Sequence, residues 1–156
     1  MGIQLTREEV DDYLTNGHTV ILATTRKSGE PFMTPLWYVY ENGAVYLRTR
    51  AKSGKAKHIA RDPRVCLMVE SGERWVDLKA VIMNCDVEVV DDDAENSRIQ
   101  KMLGEKYAAF RTEIRKAPRA TKKHYAASSV VFKCTPRQGE VRSWYNRKLR
   151  GLEKAG

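Results

Sequence analysis

Cysteine is scarce in this chain: three in 156 residues, Cys66, Cys85 and Cys134, odd in number, far apart and each inside an apolar run. Such a set gives neither a disulfide framework nor a paired-cysteine metal site. The three histidines, His18, His58 and His124, are equally scattered and show no ligand spacing, so no structural metal is expected. Long apolar runs are missing too. Nothing approaches the roughly 20 residues that a membrane-crossing helix needs, and Met1 to Asp11 carries acids where a secretion signal would carry its apolar core. The expectation is a cytoplasmic protein without membrane contact. With five prolines, no repeat and no low-complexity linker, residues 1–156 are expected to form a single domain. No Ser-His-Asp or paired-carboxylate pattern supports hydrolysis, and Asp91 to Asp93 reads instead as the charged start of a helix.

Positive charge, by contrast, is in excess. The net charge is +8, which points to an anionic partner without saying which. The cations gather in Arg48 to Arg64, Arg111 to Lys123 and Arg137 to Arg150, whereas Asp86 to Glu95 is acidic. A nucleic-acid binder would suit the charge, with Trp37, Tyr38, Trp75 and Trp144 to stack on bases. No recognised nucleic-acid motif accompanies them, so nucleic acid is not the expected partner.

Local signals place the elements. Thr6 and Glu9 have the spacing of a capping box and Leu5 can staple onto Val10, so a helix is expected to run to about Thr15 and to end at Gly17. Thr19 to Thr25 reads as a strand, closed by the turn Lys27-Ser28-Gly29-Glu30. Phe32 to Tyr40 and Ala44 to Thr49 read as antiparallel neighbours across the hairpin turn Asn42-Gly43. Pro35 places the first of the two at an edge or at a bulge. Ser53 can cap a short helix that Asp62-Pro63 ends. Arg64 to Glu70 and the long stretch Arg74 to Val90 are β-rich. A helix then carries Ile99, Met102, Leu103 and Tyr107 at helical spacing. Arg111 to Ala127 reads as helix or loop, and Ser129 to Thr135 and Val141 to Tyr145 as two further strands separated by Pro136 and Gly139. Six or seven short strands with two or three helices make a mainly β chain, most simply a closed or half-closed antiparallel barrel.

The segment most specific for chemistry is Leu47-Arg48-Thr49-Arg50-Ala51-Lys52-Ser53-Gly54-Lys55, where a strand end meets a helix start among four cations. Backbone N–H groups at a helix N-terminus, a hydroxyl and ammonium groups together suit a phosphate. A solvated basic turn is the plainer reading of the same residues, and charge runs usually are just that. Order and context favour the phosphate. Gly29-Glu30-Pro31, Thr34-Pro35-Leu36-Trp37-Tyr38, Gly43 with Val45-Tyr46-Leu47, Lys52-Ser53-Gly54-Lys55, Arg61-Asp62-Pro63-Arg64-Val65 and Arg142-Ser143-Trp144 with Lys148-Leu149 follow one another as in a known family. In these motifs the chain resembles the pyridoxamine 5′-phosphate oxidase-like, flavin-binding split-barrel superfamily along nearly its whole length. The closing Ser-Trp-x-x-x-Lys-Leu element and the Lys-Ser-x-Lys grip look most like the branch that uses the deazaflavin F-420.

The resemblance implies a split β-barrel, a cofactor that is F-420 or FMN, and an oxidoreductase passing hydride between that cofactor and a small unsaturated organic substrate. It implies that Lys52, Ser53 and Lys55 hold the cofactor phosphate and that Thr49 bonds the ring or ribityl region. Met33, Thr34, Pro35 and Leu36 would lie along the ring. It further implies a homodimer with sites between the subunits, Trp144 and Lys148 reaching the cofactor from the partner chain. Arg48, Arg50, Lys57 and Arg61 are candidates for an anionic cofactor tail. A pyridoxamine 5′-phosphate oxidase-related FMN protein, or a non-catalytic flavin- or haem-binding protein, remains an alternative. No catalytic residue is assigned; Tyr38 and His58 are candidate proton donors by closeness in sequence alone. The chain departs from the branch at Tyr145-Asn146, where Asp-His is usual, at His58, where asparagine is common, and at Asn84-Cys85, where glycine is often found.

Overall fold

The fold starts from a cap. The computed structural model describes residues 3–113 and 116–149, the side chain of Tyr125 excepted. In it Thr6 Oγ1 accepts from Glu9 N at 3.2 Å while Glu9 Oε2 accepts from Thr6 N at 2.7 Å, so the capping box closes and opens α1 (Arg7–Asn16). Leu5 and Val10 both pack onto the core that α1 covers with Leu14. Gly17 ends the helix with φ −62°, so conformational freedom is not the reason glycine stands there. Space is. A Cβ at this position would lie 2.3 Å from the Tyr38 hydroxyl and 2.8 Å from Val69 Cγ1, and Tyr38 is pinned by its hydrogen bond to the Leu14 carbonyl. Gly17→Ala is therefore expected to cost about 1–3 kcal/mol of stability by overpacking, read as a drop in the urea midpoint. An unchanged midpoint would show that the Tyr38 ring gives way freely.

Seven strands follow: β1 (Val20–Thr25), β2 (Pro31–Leu36), β3 (Tyr38–Glu41), β4 (Ala44–Arg50), β5 (Arg64–Ser71), β6 (Lys79–Val89) and β7 (Ser129–Tyr145). All pair antiparallel in the order β2-β1-β5-β6-β7-β4-β3. The two edge strands, β2 and β3, are joined by one residue, Trp37. Laid flat, edges six gaps apart would be separated by roughly 29 Å, far beyond what one residue spans. The sheet must curl until its edges meet, and the result is a split β-barrel. Its interior is filled by Val20, Leu22, Tyr38, Val45, Leu47, Leu67, Val81 and Met83. Outside the barrel, α3 (Asp93–Lys106) lays Ile99 and Leu103 against Val39, Tyr46 and Val131.

Three strand readings are corrected by this topology. Phe32 to Tyr40 is two strands, because the chain crosses from one barrel edge to the other at Trp37. Only its second half pairs across Asn42-Gly43, whose φ values of 49° and 79° suit a twisted two-residue hairpin turn. Pro35 does sit on an edge strand, opposite Ile21, where its missing N–H leaves no ladder bond unmade on the open side. Ser129 to Thr135 and Val141 to Tyr145 are one continuous strand, β7: Pro136 and Gly139 produce a bulge opposite Asn84 instead of a break. Asn84 Nδ2 donates to Glu140 Oε2 at 2.8 Å and ties that bulge down. Arg74 to Val90 begins with a 3-10 turn, Trp75–Asp77, before β6, and within Arg111 to Ala127 lies a short helix, α4 (Arg119–Tyr125). Among the described residues no helix is long and apolar enough to cross a membrane.

Candidate functional site

At the end of β4 the chain enters α2 (Gly54–Arg61) through a capped turn. Ser53 is buried, takes the N-cap position and accepts from Ala56 N at 3.2 Å, while Thr49 Oγ1 lies 3.4 Å from its hydroxyl. The first-turn N–H groups of Gly54 and Lys55 have no partner inside the helix and carry the positive end of its dipole. Around this turn stand Arg50, Lys52, Lys55 and Lys57, none of them in an ion pair among the described residues. The acids that do form ion pairs among the described residues meet other cations, Arg64, Arg74, Arg98, Arg147 and Lys148 among them. Partial burial, with Arg50 close by, pulls the Lys55 ammonium below its usual pKa. A partly desolvated ammonium without an acidic partner, beside the free N–H groups of a helix start, has the chemistry that suits an anion. Backbone bonds hold the turn in place: Ala51 N donates to Ser128 O at 2.9 Å and Ser53 N to Arg50 O at 3.0 Å.

The second piece is β2. Alternation puts Phe32, Thr34 and Leu36 on the half-buried side and Met33 and Pro35 on the open side, where Met33 is 59% exposed. Thr34 Oγ1 is buried and, among the described residues, is the one side-chain oxygen or nitrogen so placed without a hydrogen-bond partner. Buried hydroxyls are rarely left this way, and an orphan beside an exposed apolar strand edge fits a ligand group. The two pieces are physically joined. His58, one turn along α2 from Lys55, places Nδ1 2.9 Å from Thr24 Oγ1 on β1 and packs edge-on against Phe32 of β2 at 5.5 Å. Arg61 adds a hydrogen bond from its guanidinium to the Thr25 carbonyl. The grip on α2 and the segment Met33 to Leu36 are thus braced on one hairpin.

Trp144 and Lys148 are not brought to this place. Trp144, on β7, pairs with Ala80 of β6, four strands away from β2, and Lys148 is bonded to Glu9 of its own chain at 2.5 Å. Within one chain they belong to a different surface.

The family model for pyridoxamine 5′-phosphate oxidase matches residues 6–143, nearly the whole described barrel. The chain belongs to that family. Among solved structures, this family member is similar to a conserved hypothetical protein from Mycobacterium tuberculosis, with 30% identity over 95% of this chain and 89% of that one and a TM-score of 0.78. It shares its fold with an FAD-binding protein from Mesorhizobium loti (21% identity, 90% and 94% of the two chains, TM-score 0.68) and with an F420 reductase (20%, 81% and 92%, TM-score 0.61). No curated protein matches it. The fold is that of the flavin-binding split barrels, and two of these three structures are named for a flavin-type group, FAD in one and F420 in the other.

Within this family member, the two proton-donor candidates fare differently. Tyr38 is fully buried and its hydroxyl is given to the Leu14 carbonyl, so it is a core residue; burial raises its pKa well above the phenolic norm. His58 spends Nδ1 on Thr24, and burial together with Arg61 and Arg26 lowers its pKa, which leaves it a neutral brace. One feature escaped the linear pattern. Trp37, next to the segment Met33 to Leu36, stacks on Tyr107 with centroids 4.4 Å apart and planes 6° from parallel, and His18 meets the Tyr107 ring edge-on at 5.3 Å. Lys106 lies 4.0 Å from the Tyr38 ring centroid, and burial brings its ammonium down to about 8. Tyr107 was legible as a helix-face residue, but nothing in its spacing names Trp37 as its partner.

Proposed function

We propose that this member of the family is an FMN- or F-420-dependent oxidoreductase acting on a small unsaturated organic substrate. The observation that carries the reading is the Ser53-capped turn, whose helix, lined by unpaired cations, is braced through His58 on the hairpin that carries the orphaned Thr34 hydroxyl. When bound, such a cofactor supplies hydride-transfer chemistry at its ring. The chain's own part is to hold and orient. Ser53, Lys52, Lys55 and the N–H groups of Gly54 and Lys55 bind the phosphate, and Thr49 takes the adjoining polar chain. Met33 to Leu36 present an apolar edge and the Thr34 hydroxyl to the ring.

A homodimer is part of the same proposal. Ile21, Ala23, Met33, Pro35, Met68 and Ile82 fall in register on the face of β2-β1-β5-β6 turned away from the barrel interior. Such a row is covered in solution by a second copy, which would also bring Trp144 and Lys148 to the site.

Titration of the purified protein with FMN and with F-420, followed by ring fluorescence, is expected to show saturable binding of one of them. Binding of neither would refute the proposal. Affinity is also expected to fall as pH rises, because Lys55 attracts phosphate only while charged. With its pKa lowered, the fall starts at lower pH than for an exposed lysine. Lys55→Met should bind more weakly at neutral pH and show a flatter alkaline limb; a limb identical to wild type would assign the titration to another group.

A further inference from the structure

Around the crossover residue stand three rings that are fixed in place and bare on the outside. Trp37 stacks on Tyr107 with planes 6° apart, yet 39% of it is exposed. Its inner face is closed by that stack, so the exposure lies on its outer face and rim. Phe110, on the 3-10 turn Ala108–Phe110, is 59% exposed. His18 joins the two: its ring lies 6.4 Å from that of Trp37 and 4.6 Å from that of Phe110, edge-on to both. The backbone under the group is tied at one residue. The Tyr107 hydroxyl accepts the N–H of Tyr38, which follows Trp37, and donates to the His18 carbonyl, while Phe110 N donates to the Tyr107 carbonyl at 3.0 Å. The exposed His18 side chain has no hydrogen-bond partner among the described residues. None of the three rings belongs to the row on β2-β1-β5-β6 assigned to the second copy.

We propose that Trp37, His18 and Phe110 form the platform on which the substrate docks, and that the substrate is a flat, conjugated ring compound bearing a carbonyl or similar polar group. Its ring lies on the open side of Trp37 and against Phe110, and its polar group meets the His18 imidazole. Exposed aromatic rings that converge on one unpartnered polar side chain have the composition of a small-molecule site. A flat ring completes the stacked and edge-on pairings these rings already make with one another, whereas an aliphatic body of the same size only covers area. Little ordering is left to be done on binding, because Tyr107 and the backbone bonds hold the rings beforehand. The place also suits the reaction. Trp37 follows Leu36 directly, so a ring bound there lies beside the strand edge Met33 to Leu36 proposed for the cofactor ring. In calling the ligand a substrate the inference rests on the oxidoreductase reading; the ring site itself does not.

Equilibrium dialysis of the full chain against 2-naphthamide and its saturated counterpart decalin-2-carboxamide tests the assignment without a cofactor. The naphthamide is expected to bind at one site per chain, about tenfold more tightly than the decalin compound. Phe110→Ala, which removes an exposed ring, and Trp37→Leu should each lower its affinity about five- to tenfold. His18→Phe, which keeps a ring and removes the nitrogens, should lower it about threefold. Sedimentation is expected to give the same subunit count for Phe110→Ala as for the wild type. Equal binding of the two amides, no binding of either, or Phe110→Ala or His18→Phe binding like the wild type overturns the proposal. A changed subunit count in Phe110→Ala would give the rings to a protein interface and overturn it equally. The FMN and F-420 titrations keep the two readings apart. A wild type that takes up the naphthamide but neither cofactor loses the oxidoreductase reading and keeps the ring site. One that binds a cofactor but not the naphthamide loses the platform alone.

Discussion

Replacing Ser53 and Lys55 together by alanine is expected to weaken binding of the flavin-type cofactor by about 2–4 kcal/mol, roughly 30- to 1,000-fold in Kd. The size follows from what each side chain does. Ser53 is buried at the N-cap, so its loss removes a phosphate hydrogen bond and also loosens the helix start whose N–H groups form the rest of the cradle. Lys55 supplies a full charge that is already partly desolvated in the turn, and a charge in that condition gains more from an anion than one in open water. Loss of the cap should cost about 1 kcal/mol of stability by itself, so the titration is paired with a urea melt. Lys55→Ala alone removes no core contact and should melt like the wild type. A double variant that binds FMN and F-420 with wild-type affinity would remove the phosphate role from this turn, and with it the reading of the whole site.

Why this turn was visible in the sequence, and other parts were not, has a physical basis. Signals that close within a few residues were legible: the Thr6 and Glu9 box, the positive-φ pair Asn42-Gly43, and the Ser53 cap with cations around it. Each depends on backbone geometry that its own neighbours impose. The division of Phe32 to Tyr40 was not legible, because nothing local marks Trp37 as the crossing point between the two barrel edges. It becomes one only after β1, β5, β6, β7 and β4 have curled into place between them. The continuity of β7 was hidden for the converse reason. Pro136 and Gly139 are turn formers locally, yet the ladder with β6 runs on both sides of them and absorbs the extra residues as a bulge. Of the candidate site, the Ser53 turn and β2 proved to be braced together through His58, a residue noted in the sequence as a candidate proton donor and as a departure from its family's pattern, and not as a brace. The Thr34 hydroxyl stood out as an orphan only when its surroundings were known, since lack of a partner is a property of the fold and not of the segment.

Tyr107→Phe is expected to be the most damaging single-atom change in the protein, lowering stability by about 2–4 kcal/mol. The hydroxyl is a junction between chain segments far apart in sequence. It accepts the Tyr38 N–H at 3.0 Å and has one proton to give, with the His18 carbonyl at 2.7 Å better placed to receive it than the Tyr38 carbonyl at 3.0 Å. Tyr107 is fully buried, so water does not easily take the place of the lost oxygen. The Tyr38 amide and the His18 carbonyl would each be left short of a partner, at about 1–3 kcal/mol per group. The ring itself stays, and with it the stack on Trp37, so tryptophan emission should be nearly unchanged while the urea midpoint falls. Tyr107→Leu removes the stack as well and should cost a further 0.5–1.5 kcal/mol or so, now with a change in Trp37 emission. The two variants separate the hydroxyl's work from the ring's. If Tyr107→Phe were as stable as the wild type, the crossover at Trp37 would be held by strand pairing alone. The position of Met33 to Leu36, which leads directly into it, would then owe nothing to α3.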